Sequence, residues 1–133
     1  MQQFLDSARR GVDAALAYAQ AHDLGICVLV LDVSGTVCAA ARMDGATQIS
    51  WEIALAKANT ALRFNASTAI LKERMQAQDM ISLVQLADRV IFLGGGVPIT
   101  RERAVVGAIG VSGAAEEQDA ACADAALVAV VHR

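Results

Sequence analysis

The chain has 133 residues and 13.9 kDa, enough for one domain and too little for two. Hydrophobic residues make up 56% and charged residues 19%, which excludes disorder, and a net charge of −3 excludes a nucleic-acid footprint. Aromatics are only 4%, and alanine occurs in runs such as Ala39-Ala40-Ala41. A core of Ala, Val, Ile and Leu favours close contact between helices and sheet. Asp6, Arg9, Arg10 and Asp13 fall where an export signal would need an apolar stretch. The longest apolar run, Ile26 to Leu31, is far short of the ~20 residues of a bilayer span. A cytoplasmic protein without a membrane partner is expected.

The apolar stripe Leu5, Ala8, Val12, Ala15, Leu16 and Ala19 predicts a helix over 4–23, stopped by Gly25. Residues 26–32 and 36–43 read as strands joined at Ser34-Gly35, apolar enough to be buried on both faces. That turn leaves Cys27 about four residues from Cys38 along the ladder, or ~13 Å, beyond the ~7 Å reach of a disulfide. The three cysteines are therefore expected as thiols, and no zinc spacing is present.

Asp44-Gly45 breaks the second strand. Helices follow over 49–64 and, capped by Ser67, over 67–77. Residues 80–87 are ambiguous between strand and helix. Residues 90–93 read as a strand ending in Gly94-Gly95-Gly96, and 104–111 as another, ended by Ser112-Gly113. A last helix is predicted over 115–131. Strand pairs joined by tight turns imply an antiparallel sheet with helices on its faces, an α+β fold.

Several residues invite a chemical reading. Arg42 and Asp44 lie two apart at a strand end, so both side chains are expected on one face. They form either a structural ion pair or a guanidinium fork for a carboxylate, with Asp44 orienting it. Lys57 has Ile53, Ala54, Thr60 and Ala61 at helical spacing and no acid among them. It either snorkels past alanine to water or clamps an anionic ligand and, desolvated, acts as a base.

Gly94-Gly95-Gly96, followed by Val97-Pro98, is either a bend or a run of amides open to an anion. The stretch from Gly107 to Gly113 imitates a phosphate loop, but Glu116, Glu117 and Asp119 at the next helix start would repel phosphate. Asp119 is either a solvated first-turn acid or a pocket carboxylate. His22 favours the helix dipole or ligates a haem iron. His132 is next to last, and Met43, Met75 and Met80 read as core.

Three segments together resemble the GlcG/HbpS-like haem-binding, or haem-degrading domain, family. They are Arg42-Met43-Asp44-Gly45-Ala46 with the helix carrying Ala54, Lys57 and Ala58; Gly94-Gly95-Gly96-Val97-Pro98-Ile99; and Val106 to Gly113 followed by Asp119. The hairpin after Val30-Leu31-Asp32 also looks like the family's first.

The resemblance implies a small, profilin-like single domain with a five-stranded antiparallel sheet flanked by helices. It is similar to the C-terminal domain of certain cobalamin adenosyltransferases, and other relatives are encoded beside catabolic enzymes. It implies haem as cofactor, with Arg42 or Lys57 on the propionates and His22 on the iron, and Gly94, Gly95, Gly96 and Pro98 as further ligand contacts. The alternative is a small enzyme for a carboxylate-bearing catabolic intermediate. There Arg42 and Lys57 would bind the carboxylate, glycine amides would hold an oxyanion, and Asp44 or Asp119 would move a proton. The apolar first strands and the stretch from Ala125 to Val131 predict a homodimer at least, or a larger even-numbered assembly.

Overall fold

The computed structural model describes residues 2–78 and 88–132. It runs α1 (Gln2–Ala21), β1 (Cys27–Asp32), β2 (Val37–Arg42), α2 (Ile49–Phe64), α3 (Thr68–Gln78), β3 (Gly96–Arg101), β4 (Ala104–Ser112) and α4 (Glu116–Val131). The expected α+β antiparallel architecture is present. Among the described residues the sheet has four strands, not five, in the order β2-β1-β4-β3.

Alternation along β1 explains the layers. Val28 and Val30 point to one face with Ile109 and Val111, under α1 (Ala8, Val12, Ala15) and α4 (Cys122, Ala126, Val130). Cys27, Leu29 and Leu31 point to the other face, under Ala54, Ala58 and Ala61 of α2. Central β1 is thus buried on both sides, as its continuous apolar run predicts, whereas edge strand β2 is only half-buried. The abundance of alanine has a direct reason at the second face. A Cβ on Gly110 would overlap the Ala54 carbonyl oxygen, so α2 lies backbone-close on β4.

Two local expectations, the strand over 90–93 and the end of α1, are corrected. Residues 90–93 are not a strand, because their surroundings satisfy the backbone from α2 instead of a ladder. The Ile91 amide donates to Thr60 Oγ1 at 2.9 Å, and Asn59 Nδ2 donates to the neighbouring Arg89 carbonyl at 3.1 Å. The strand of this region is β3, which pairs with β4 through a two-residue turn at Glu102-Arg103. Both turn residues have positive φ, 52° and 69°, as a tight hairpin demands, yet neither is the glycine or asparagine that signals one.

Helix α1 ends earlier than expected, with Asp23 rather than Gly25 in the left-handed conformation (φ 56°) and the Leu24 amide bonded to the Ala19 carbonyl at 2.8 Å. Gly25 serves a close approach: a Cβ there would stand 3.0 Å from the Gly45 carbonyl carbon. In the first hairpin, Asp32 Oδ1 accepts from the Ser34 and Thr36 amides, and a bulge at Cys38 lets Val37 rather than Cys38 face Leu31. The ambiguous residues 80–87 lie outside the described residues.

Candidate functional site

The two ends of the sheet differ in chemistry. At one end meet the start of β1, the end of β2, the start of β3 and the end of β4, through the pairs Cys27–Arg42, Cys27–Ser112 and Gly96–Gly110. The loop after α1, the loop after β2 and the turn before α4 converge there. Gly25 abuts Gly45, and a Cβ on Gly113 would overlap the Gly25 carbonyl oxygen.

Lys57 and Asp119 form the centre of this end. Lys57 Nζ donates to Asp119 Oδ2 at 3.0 Å and to the Val111 carbonyl at 3.0 Å, and both side chains are 3% exposed. The other carboxylate oxygen, Oδ1, accepts the Ala114 amide at 3.0 Å. Burial pushes the Asp119 carboxyl up, while the Lys57 ammonium and the Ala114 amide pull it down. Lys57 therefore neither snorkels to water nor offers a free ammonium to a ligand. The acid missing from its own helix comes from α4, and Asp119 is not a solvated first-turn residue.

The glycine run lies against this pair. Gly95 adopts φ 126°, and a Cβ there would come within 2.9 Å of Lys57 Nζ. The Gly94 amide donates to Glu116 Oε1 at 2.9 Å, and the Gly96 amide to Thr68 Oγ1 at 2.9 Å. Two of the three amides proposed for an anion are thus held by protein oxygens. Pro98 is not in the loop at all. It sits within edge strand β3 opposite Ala108, where a missing N–H is tolerated.

Outside Gly94 lies an open hollow of about 380 Å³ lined by Lys72, Glu73, Gln76, Gly94, Glu116 and Glu117, among others. Lys72 Nζ donates to Glu116 Oε2 at 2.6 Å. That bond, with the Gly94 amide, holds the Glu116 carboxyl below the usual carboxylate range. Neither Lys72 nor Thr68 carries a sequence signal beyond type, since their partners lie 44 and 28 residues away.

Arg42 and Asp44 do not pair. The strand stops at Arg42, so strand alternation does not extend to Asp44, which is exposed in the following turn. Arg42 Nη1 instead donates to the Ala46 carbonyl at 2.8 Å, and the residue is exposed at the same sheet end as Lys57. His22 is exposed after α1. Its ring stacks on Tyr18 with centroids 4.0 Å apart, and Nδ1 donates to the Tyr18 carbonyl at 2.8 Å. Burial pushes the Cys27 and Cys122 thiols up to about 11, so neither is a nucleophile at neutral pH. Among the described residues no group of three or more His, Cys, Asp or Glu side chains could hold a metal ion by itself.

One antiparallel sheet between helix layers, with a buried lysine–aspartate pair tying α2 to α4 beside a glycine run, defines a small α+β domain class. The family model for the HbpS-like haem-degrading protein matches residues 4–128, and the chain belongs to that family. It is 33% identical over 125 residues to a 15.0 kDa protein of the dhaT-dhaS intergenic region of Citrobacter freundii, covering 92% of this chain and 88% of that protein. It is 31% identical to the corrinoid adenosyltransferase PduO of Salmonella typhimurium over 88% of this chain, which spans only 35% of that enzyme.

Among solved structures, the Klebsiella pneumoniae protein ORFY superposes with a TM-score of 0.90 at 30% identity, covering 97% of this chain and 90% of that one. A double mutant of HbpS from Streptomyces reticuli gives 0.87 at 32%, covering 96% and 86%. A PduOC–haem complex gives 0.84 at 30%, covering 93% and 91%.

Proposed function

We propose that this protein binds haem, or a ligand that carries carboxylates as haem does, at the sheet end where the loops after α1 and β2 meet. The observation that carries the reading is the similarity, over nearly the whole chain, to a domain crystallised with haem. The state of His22 supports it. A carbonyl only accepts, so Nδ1 carries its proton toward Tyr18, and in the neutral ring the lone pair then lies on Nε2 of an exposed side chain. A histidine whose second nitrogen is anchored to a backbone carbonyl is the usual arrangement of a metal ligand. Bound haem would supply redox or oxygen chemistry at its iron. The chain's part is to present the His22 imidazole and, from the end of β2, the exposed Arg42 guanidinium to a propionate. Lys57 serves this site as part of its frame rather than as a ligand contact.

Haem titrated into ligand-free protein at micromolar concentration should give a saturable Soret shift, and His22→Ala should change that spectrum. Absence of any saturable shift overturns haem binding. A shift indifferent to His22→Ala overturns only the assignment of the iron ligand.

We also infer a homo-oligomer, at least a dimer. Val128 and Val131 of α4 remain 57% and 47% exposed, a pattern that suits cover by another subunit. Sedimentation should yield a multiple of 13.9 kDa, and a monomer at micromolar concentration would refute it. Three free thiols fit a reducing compartment, and we place the protein in the cytoplasm. Among the described residues no helix is long and apolar enough to cross a membrane.

A further inference from the structure

The opposite end of the sheet holds a second arrangement with no part in the site above. Arg101 ends β3, five residues beyond Gly96, so it lies ~16 Å along the strand from the glycine run. Its Nη2 donates to Ser7 Oγ at 3.3 Å, and Arg10 Nη2 donates to the same oxygen at 3.1 Å. Two guanidinium cations thus converge on one hydroxyl, and neither pairs with a carboxylate among the described residues. Like charges repel, and a fold gains nothing by collecting them without an anion.

The arrangement is also held in place. Ser7 is only 4% exposed. A serine hydroxyl has two lone pairs and one proton. Both lone pairs are taken by the arginines, and no acceptor for the proton is found among the described residues. Arg101 lies over the Phe4 ring, its Cζ 5.9 Å from the centroid. The ring itself rests on Gly107, where a Cβ would stand 2.8 Å from the Phe4 Cζ. Around the three donors is a hollow of about 290 Å³ lined by Gln3, Asp6, Ser7, Arg10 and Arg101.

We propose that this hollow is a binding site for a compact oxyanion, a phosphate group or a small carboxylate, gripped by Arg10, Arg101 and the Ser7 hydroxyl. Guanidinium forks match the paired oxygens of either anion. Asp6 on the rim adds an acceptor, which suits an anion that also carries a hydroxyl, such as monohydrogen phosphate. The bound anion would bridge α1 to the β3–β4 hairpin, so occupancy should raise thermal stability.

The test uses the full chain at constant ionic strength, titrated calorimetrically with inorganic phosphate and, separately, with malonate, with melting followed in parallel. Saturable binding of phosphate, with a melting temperature that climbs with its concentration, is expected. Arg10→Gln and Arg101→Gln should each weaken binding at least about tenfold, as expected for loss of a charge-assisted hydrogen bond. Arg10 is exposed, so Arg10→Gln keeps the test decisive should Arg101→Gln fold poorly. Malonate bound in place of phosphate, and lost in the same variants, supports the site and assigns it to carboxylates. No saturable binding of either anion, or binding indifferent to both substitutions, overturns the proposal.

Discussion

Lys57 and Asp119, 62 residues apart in the chain, meet at 3.0 Å with only 3% of each side chain exposed, and so tie α2 to α4 across the end of the sheet. Such a pair is costly to form, because both ions leave water, and costlier to halve. Its hydrogen bonds to Val111 and Ala114 complete the inventory: no buried side-chain nitrogen or oxygen lacks a partner among the described residues.

Breaking that pair should therefore act on stability first. Lys57→Met leaves the Asp119 carboxylate buried without its cation and is expected to cost about 3–5 kcal/mol of unfolding free energy. Adding Asp119→Leu should recover a substantial part of the loss, since the stranded charge is gone. Denaturant unfolding of the two single variants and the double variant measures the coupling. A Lys57→Met protein as stable as wild type would show that the pair does not hold these helices together.

Gly110 and Gly95 should be intolerant of a single methyl group for different reasons. At Gly110 a Cβ would overlap the Ala54 carbonyl and lift α2 off β4. At Gly95 it would press on Lys57 Nζ and force an L-residue to φ 126°. Each Gly→Ala change is expected to cost more than about 2 kcal/mol. Gly45→Ala is the control, because the nearest atom to its Cβ is 4.0 Å away. Equal melting temperatures for all three variants would contradict the close approach.

Acid should loosen the glycine run. The folded state lowers the Glu116 pKa from its ordinary 4.5, chiefly through Lys72 and then the Gly94 amide. A depressed carboxylate stabilises above its unfolded pKa, and that contribution is lost as pH falls through the folded value. Wild type should thus lose more stability than Glu116→Gln between about pH 5 and pH 3, its advantage over the variant being fully present near neutrality and gone at the acid end. Urea midpoints across this range give the measurement. Parallel curves for the two proteins would remove Glu116 from the role of anchor.

Much of the fold was legible locally. The stripe of α1, the bounds of α2 with Asn65 in the left-handed cap, the Ser67 start of α3 and the first hairpin turn all rest on contacts within a few residues, which neighbouring side chains encode. The second hairpin was not legible, because its turn uses Glu102-Arg103, residues whose types carry no turn signal. The apolar run 90–93 is not a strand because its Ile91 amide is taken by Thr60, 31 residues upstream on α2, while Asn59 holds the carbonyl of Arg89 just before it.

The candidate site divides the same way. The sequence by itself determined that Lys57 lacked an acidic neighbour on its own helix and that the chain is alanine-rich enough for close helix-on-sheet contact. Only the tertiary structure decided that Asp119 supplies the missing charge, that Arg42 turns to Ala46 rather than Asp44, and that Arg10 and Arg101 share Ser7. Helical and strand periodicity specify which face a residue occupies. Which distant residue faces it depends on how the layers pack, and that is a property of the whole chain.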